Sequence, residues 1–264
     1  MFPSSSILRG TPQEEVYFVM VFVTIRNTFF SLLMRMVATY PLKPTAQDTC
    51  YLKSVWETIN ATSCPRHYNF HLHTIASDGK LTPVGLVQQA ISIGLRGFAI
   101  TDHHSVDSFK EAEQYLSTIG SNRSTTLPHL WTGTEITSKL QSVEVHILGY
   151  GFDPDHPAFS SYLQGEKPQG KDGLAKHVIS SIHQAGGLAV LAHPERYRRS
   201  AEQLIPAAVE LGIDGVETYY SYNNPKVWQP SPNRTKRVKS LAKKYHLFST
   251  CGTDTHGLDI LQRL

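Results

Sequence analysis

Beyond Tyr68 the chain alternates short apolar runs with stretches of helical character, and nearly every apolar run closes on a histidine or a carboxylate. The clusters are His71-Leu72-His73, Asp102-His103-His104, Glu135, His146, His193 and Asp254-Thr255-His256, with Asp78 in a Ser77-Asp78-Gly79 turn. Strands that alternate with helices build a largely parallel α/β sheet. Imidazoles and carboxylates gathered at strand ends favour a closed barrel over an open doubly wound sheet, because barrel enzymes place their chemistry at one end of the strands. No GxGxxG or GxxxxGK[ST] pattern is present, so nucleotide-cofactor and P-loop folds lose support.

The expected elements follow from the pattern. Tyr68–His73 reads as a strand, and Thr82-Pro83 opens a helix reaching about Ile93, with the cap and the proline in their usual places. Phe98–Thr101 is the next strand, then a helix over Ser108–Ile119 and a polar loop over Gly120–Thr126. Strands are expected at His129–Ile136 and Val143–Tyr150, with a Pro/Gly/charge-rich loop at Asp153–Lys171. Helix Gly173–Ala185, strand Leu188–Ala192, helix Ala201–Leu211, strand Gly215–Thr218, helix Asn233–Tyr245 and strand Leu247–Cys251 complete about seven strands.

The N-terminal segment follows a different logic. Two apolar stretches, Val16–Val23 and Phe29–Met36, are split by Thr24-Ile25-Arg26-Asn27-Thr28, well short of the roughly 20 apolar residues a membrane helix needs. Glu14 and Glu15 stand where a signal peptide carries positive charge. Residues 1–65 are therefore expected to be an extension or leader, with 1–35 outside the working chain and one helix near Ala46–Asn60; residues 66–264 form the functional domain. An amphipathic anchor is the alternative for the apolar stretches. A net charge of +3 does not argue for a stable nucleic-acid complex. Three cysteines, Cys50, Cys64 and Cys251, lack CxxC spacing and suit a reducing, cytoplasmic compartment rather than a disulfide framework or thiolate zinc site.

Taken singly, each candidate has a bland reading. His71 and His73 lie two apart on a strand and share a face, which suits one ion or two exposed side chains equally. Asp78 reads as a turn residue, and Asp102 as a cap or as a group orienting a histidine. Glu135, in an apolar context, needs a compensating charge, because an unpaired buried carboxylate costs several kcal/mol, order of magnitude. His146 between Val145 and Ile147 would alone read as a hydrogen-bonded core residue. Together the nine residues His71, His73, Asp78, His103, Glu135, His146, His193, Asp254 and His256 read as a metal centre.

The stretches FHLHTIASDG, FAITDHH, TGTEIT, VEVHILGY, AVLAHP and CGTDTHG, in order over residues 67–257, resemble the PHP (polymerase and histidinol phosphatase) metal-dependent phosphoesterases. The resemblance implies a distorted (β/α)7 barrel. It implies that His71, His73, Glu135 and Asp254 hold one ion, that Glu135 bridges to a second held by His146 and His193, and that Asp78, His103 and His256 hold a third. The Ser-Asp-Gly turn and the HPERY stretch are similar to the branch acting on 3′,5′-nucleoside bisphosphates and RNA 5′ ends, with LAHPERYRRS suggesting a cyanobacterial-type subgroup. Two departures stand out: His104 replaces the branch's usual Asp, and the segment after Tyr150 is shorter than the subdomain typical there.

The implied chemistry is hydrolysis of a phosphate ester by metal-activated hydroxide, with Glu135, Asp254 and His256 catalytic. Two or three divalent ions are expected, and histidine-rich ligation points to Mn, Fe or Zn rather than Mg. Arg196, Tyr197 and Arg198, near Arg199, are candidates for a second substrate phosphate, or else form a solvated basic loop. Tyr219, Tyr220 and Tyr222 either stack on a base or cover the barrel rim. The expected partner is a small phosphorylated substrate, a nucleotide or an RNA 5′ end, with no membrane; oligomeric state is left open. Histidinol phosphate hydrolysis, C–N bond hydrolysis and a non-catalytic scaffold are the rivals. The C–N hydrolases of this kind use a central-strand lysine, and only Lys139 lies near such a strand.

Overall fold

The computed structural model describes residues 44–120 and 126–264, so the expectations for the N-terminal apolar stretches and for most of the Gly120–Thr126 loop lie outside the described residues. A 3-10 turn at Thr45–Gln47 leads into α1 (Thr49–Trp56), followed by β1 (Tyr68–Asn69), α2 (Pro83–Ile93), β2 (Gly97–Ala99), α3 (Asp107–Gly120), β3 (His129–Trp131), β4 (Gly133–Leu140) and β5 (Val143–Tyr150). Then come α4 (Pro157–Ser160), α5 (Ala175–Gln184), β6 (Leu188–Leu191), α6 (Ala201–Val209), β7 (Gly215–Tyr219), α7 (Pro232–Lys244) and β8 (Phe248–Cys251). Local chemistry accounts for the helix starts: the Thr82 hydroxyl accepts from the Gly85 N–H ahead of Pro83, and Ser200 and Gln203 form a reciprocal capping box. Gly94 ends α2 in the left-handed conformation.

The strands form two sheets, β1-β2-β3 and β4-β5-β6-β7-β8. The expected strand His129–Ile136 breaks at Thr132, whose hydroxyl is diverted to the Phe152 carbonyl, and its second part runs on to Leu140. Isolated bridges, Leu72 with Thr255 and His103 with Glu135, join the sheets near the C-terminal ends of β1, β2 and β8. Among the described residues the result is barrel-like, with seven strand paths, β3 and β4 counting as one, and no continuous closing ladder.

The expectation of a largely parallel sheet needs one correction. β5 runs antiparallel to both β4 and β6. The β4–β5 connection is a two-residue hairpin at Gln141-Ser142 with φ of 47° and 64°, the paired positive φ of a type I′ turn. Its sequence lacks the usual Asn-Gly signal. The hairpin sets Glu135 opposite Leu148 and Thr137 opposite His146, which brings Glu135 and His146 to one face.

Two apolar layers hold this frame. One lies under the helices, with Leu86 and Val87 of α2, Ile179 and Ile182 of α5 and Leu204 of α6 against Ile136, Ile147 and Leu191. The other fills the strand interior, with Phe70, Trp131, Leu148, Tyr150, Val190 and Cys251, and takes in Leu52, Val55 and Trp56 of α1. Trp56 meets Phe70, Tyr150 and Phe248 edge-on or tilted, so α1 closes the end of the strands opposite the histidine clusters. The nine candidate ligands are left at the other end.

Candidate metal centre

Glu135, 1% exposed, is the hub. Its Oε1 lies 2.8 Å from His146 Nδ1 and 3.3 Å from His193 Nε2; its Oε2 lies 3.1 Å from both His71 Nε2 and His73 Nε2. Asp254 Oδ1 faces the same pair, 3.3 Å from His71 and 3.2 Å from His73. A third group forms beside it. Asp78 lies 3.1 Å from His256 Nε2, 3.7 Å from His103 Nε2 and 3.5 Å from His73 Nδ1. All nine sequence-predicted residues thus converge at one end of the strands.

Glu135 and His146 come from within β4 and β5, and the rest from the turns and segments that follow the other strands, through tight backbone approaches. A Cβ on Gly252 would lie 2.2 Å from the His71 Cβ, and one on Gly79 would lie 2.5 Å from the His73 carbonyl carbon. Only glycine lets these segments cross so closely. His193 and Asp254 have φ of 24° and 55°, a conformation non-glycine residues adopt at a cost and mostly at working sites.

Several contacts have the distances of polar pairs without the alignment of hydrogen bonds. His73 Nε2, His103 Nδ1 and both ring nitrogens of His193 are buried and have no hydrogen-bond partner among the described residues. Tautomers sharpen the point. The Glu217 carboxylate sits 3.0 Å from His71 Nδ1, so that nitrogen donates, and in the neutral ring Nε2 presents a lone pair to two carboxylate oxygens. His256 Nδ1 donates to the Asp254 carbonyl at 2.8 Å, which turns its Nε2 lone pair on Asp78. Lone pairs facing lone pairs need a cation between them. With metal–ligand bonds of about 2.0–2.2 Å, atoms sharing an ion lie roughly 3–3.5 Å apart, and Glu135 and Asp254 lie 2.8 to 3.3 Å from the ring nitrogens of His71, His73, His146 and His193. The donor set fits divalent metal ions.

Without metal, protons do part of that work. Burial disfavours a charge on His71, but Glu135, Glu217 and Asp254 outweigh it and hold its pKa well above the ordinary histidine value. Burial likewise opposes charge on His73, and Asp254 and Glu135 push it up to about 9. Burial would raise the carboxylates, yet His71 and His146 hold Glu135 well below the usual range, and His71 and His73 do the same for Asp254. His103 and His193 fall, chiefly through burial. His104 is pushed down to about 4 by burial and the neighbouring His103 and His146; it turns to the Thr137 hydroxyl at 3.1 Å and joins none of the ligand groups.

The surrounding residues divide less evenly. Asp102 does not orient a histidine directly: it accepts from the Thr74 N–H, the Thr74 hydroxyl and the Ser77 hydroxyl, each at 2.7 Å, and so fixes the turn after His73. Arg196 and Arg263 both donate to Asp254 Oδ2 at 2.9 Å, and the Tyr220 hydroxyl donates to it at 2.7 Å. Tyr197 lies behind the cluster, its oxygen accepting from the His146 N–H at 2.8 Å. Arg198 is exposed and does not line the cavity. Tyr219 is buried and Tyr222 accepts from the Glu195 N–H, so both are engaged in packing. Sequence reasoning missed Glu217 and Arg263. Glu217 had a signal, a lone carboxylate in the wholly buried strand GVETY; it also accepts from the His193 N–H at 2.8 Å.

The ligand atoms open onto a cavity of about 140 Å³ lined by Asp78, His103, Glu135, His146, His193, Arg196, Asp254, His256 and Arg263. No lysine lines it. A larger, shallower cleft beside α5 contains none of the candidate residues. No helix of the described residues is long and apolar enough to cross a membrane.

Fold and cluster define a metal-dependent phosphoesterase, a phosphoric ester hydrolase. The PHP domain family matches residues 69–248, and the chain belongs to that family. It is 27% identical to the 5′-3′ exoribonuclease Rnm of Salmonella typhimurium, over 72% of this chain and 85% of that one. It is 30% identical to the 3′,5′-nucleoside bisphosphate phosphatase of Chromobacterium violaceum, over 45% of this chain and 39% of that one. A Bifidobacterium adolescentis crystal structure assigned to the metal-dependent phosphoesterases superposes with a TM-score of 0.57, at 26% identity and covering 73% and 88% of the two chains.

Proposed function

We propose that the chain, loaded with two or three divalent ions, hydrolyses a terminal phosphate ester of a 3′,5′-nucleoside bisphosphate or of a short RNA 5′ end. One observation carries the multinuclear reading: the two oxygens of Glu135 face two different histidine pairs, His146/His193 and His71/His73. His71, His73, Glu135 and Asp254 would hold one ion, Glu135 with His146 and His193 a second, and Asp78, His103 and His256 a third. The histidine content favours Mn, Fe or Zn over Mg. Such ions supply positive charge to phosphate oxygens and acidify water, so that hydroxide is available at neutral pH.

The chain's own residues set the remaining terms. Glu217 fixes the His71 tautomer. Asp254 is held as a carboxylate, with Oδ1 on two histidines and Oδ2 saturated by three donors, so it has no proton to return to a leaving oxygen. The cavity, about 140 Å³, would admit the reacting phosphoryl group. The names of the exoribonuclease and bisphosphate phosphatase relatives support this substrate class; a binuclear C–N hydrolase bridged by a lysine finds no lysine in the cavity.

The test is phosphate release by the full chain, chelated and then reloaded with Mn, from adenosine 3′,5′-bisphosphate, a 5′-phosphorylated oligoribonucleotide and histidinol phosphate. Metal-dependent release from the first or second supports the proposal. Release from histidinol phosphate alone, or from none with metal bound, overturns it.

A further inference from the structure

Arg263 reaches the metal centre by a route that its exposed setting in the sequence does not suggest. Residues 257–264 fold back over the end of the strands, and their backbone is gripped by side chains of the site's own segments. The buried Ile260 carbonyl accepts from Asn69 Nδ2 and from the Thr253 hydroxyl, both at 3.1 Å, and the Ile260 N–H donates to Gln89 Oε1 at 3.0 Å. The Thr255 hydroxyl donates to the Gln262 carbonyl, and the His256 N–H to the Arg263 carbonyl at 2.6 Å. Thr253, Thr255 and His256 follow β8 beside Asp254, Asn69 lies on β1 and Gln89 on α2, and together they seat the backbone of residues 260–263 beside the site.

The guanidinium arrives beside another. Arg263 Nε and Arg196 Nη1 each donate to the same atom, Asp254 Oδ2, at 2.9 Å. Two cations on one carboxylate oxygen repel each other, and the charge of Arg263 works against that of Arg196. One aspartate, which also serves His71 and His73 through Oδ1, cannot neutralise both. Each arginine uses a single nitrogen in these bonds; five N–H donors per guanidinium leave most of each fork without a protein partner among the described residues. Both line the cavity, with side chains 39% and 22% exposed. Two full positive charges, held by Asp254 against burial and their mutual repulsion, with free donors and solvent access, are what a phosphate needs.

We propose that Arg196 and Arg263 form a clamp for the substrate's second, non-reacting phosphate, with Arg263 a specificity-determining residue for esters that carry one. The position follows from Asp254. Its Oδ1 faces the ion-binding nest and its Oδ2 the arginines, so an anion on the free guanidinium edges sits beside the nest rather than in it. The assignment rests on the phosphoesterase reading for its substrate class.

The experiment compares wild type, Arg263→Gln and Arg263→Lys as full chains. Hydrolysis of adenosine 3′,5′-bisphosphate and of p-nitrophenyl phosphate is followed with Mn, metal content is measured on the same samples, and binding of the bisphosphate to chelated protein is measured by calorimetry. Loss of a charge-assisted contact should raise KM for the bisphosphate on the order of tenfold more than KM for the single-phosphate ester. Metal content should hold, and Lys should recover part of the effect. Equal KM changes for both esters, or metal loss in step with activity, would show that Arg263 merely tethers Asp254 and would overturn the clamp. If wild type with bound metal hydrolyses neither ester, the phosphoesterase reading falls. Calorimetry then decides the clamp separately: it stands if chelated wild type binds the bisphosphate and Arg263→Gln binds it about tenfold or more weaker, and falls otherwise. Should Arg263→Gln not fold, Arg196→Gln takes its place in the same comparison.

Discussion

The two ends of the strand array are built on opposite principles. At the end closed by α1, Trp56, Phe70 and Tyr150 are buried together, and the Tyr150 hydroxyl donates to the Phe70 carbonyl at 2.7 Å. At the other, buried imidazoles and carboxylates face one another with ring nitrogens left unpaired, and His104, His193 and Asp254 adopt left-handed backbone. The first end is held by apolar packing, with Trp56 Nε1 and Trp131 Nε1 buried without a hydrogen-bond partner among the described residues. The second is arranged for cations that must be added, so stability and chemistry are separable along the strand axis.

The sharpest way to break this contrast is Glu135→Gln. It removes the one carboxylate that faces both histidine pairs, and we expect turnover to drop by about a thousandfold or more while the circular dichroism spectrum is kept. A variant with most of its activity would end the multinuclear mechanism. The reciprocal change is Trp56→Ala, 2% exposed in wild type. A cavity there should cost about 3–5 kcal/mol in denaturant unfolding, with metal content per folded chain unaltered. If metal binding collapsed in parallel, the two ends would not be independent.

Smaller effects refine the picture. Glu217→Gln keeps the shape but weakens the hold on His71, and metal affinity should fall about 10- to 100-fold; an unchanged affinity would reduce Glu217 to packing. The pH dependence has a definite sign. In chelated protein His73 has a pKa raised to about 9, so its contribution to stability is full below its ordinary value near 6.5 and is lost as pH rises through about 9. The depressed Glu135 and Asp254 act in the other direction, and their contribution disappears as pH falls through their lowered values. Metal must displace the His73 proton, so affinity should rise toward pH 9 while the Tm of chelated protein declines. Parallel slopes would contradict the assignment of His73 to the ion.

Much of the site was readable because the residue types were informative in their context. Glu135 and His193 stood out as polar groups in apolar runs, and His71-Leu72-His73 had the two-residue spacing that places side chains together. The strand positions and the α2 start at Thr82-Pro83 followed from periodicity and capping, but the strand ends did not: β1 ends at Asn69 rather than His73, and the His129–Ile136 strand breaks into β3 and β4 and runs to Leu140. Other features carried no such mark. Gln141-Ser142 is an undistinguished dipeptide, so the hairpin that reverses β5 could not be anticipated. Asp102 in TDHH suggested either a cap or a partner for histidine, and its oxygens hold the turn at Thr74 and Ser77. Tyr197, a candidate beside a substrate phosphate, and Tyr220, which either stacks on a base or covers the rim, place their hydroxyls on the His146 N–H and Asp254.

What the sequence determined alone was the chemistry: which residues can bind a divalent ion, that most of them sit in or just past strands, and that strands alternate with helices. These are local properties, written in residue type and spacing. Only the tertiary structure decided how Glu135 divides its oxygens, that Glu217 holds His71 across 146 positions, and that Arg263 and Arg196 meet on one oxygen of Asp254. Such relations depend on distances between segments far apart in the chain, and no local pattern of hydrophobicity or propensity encodes them.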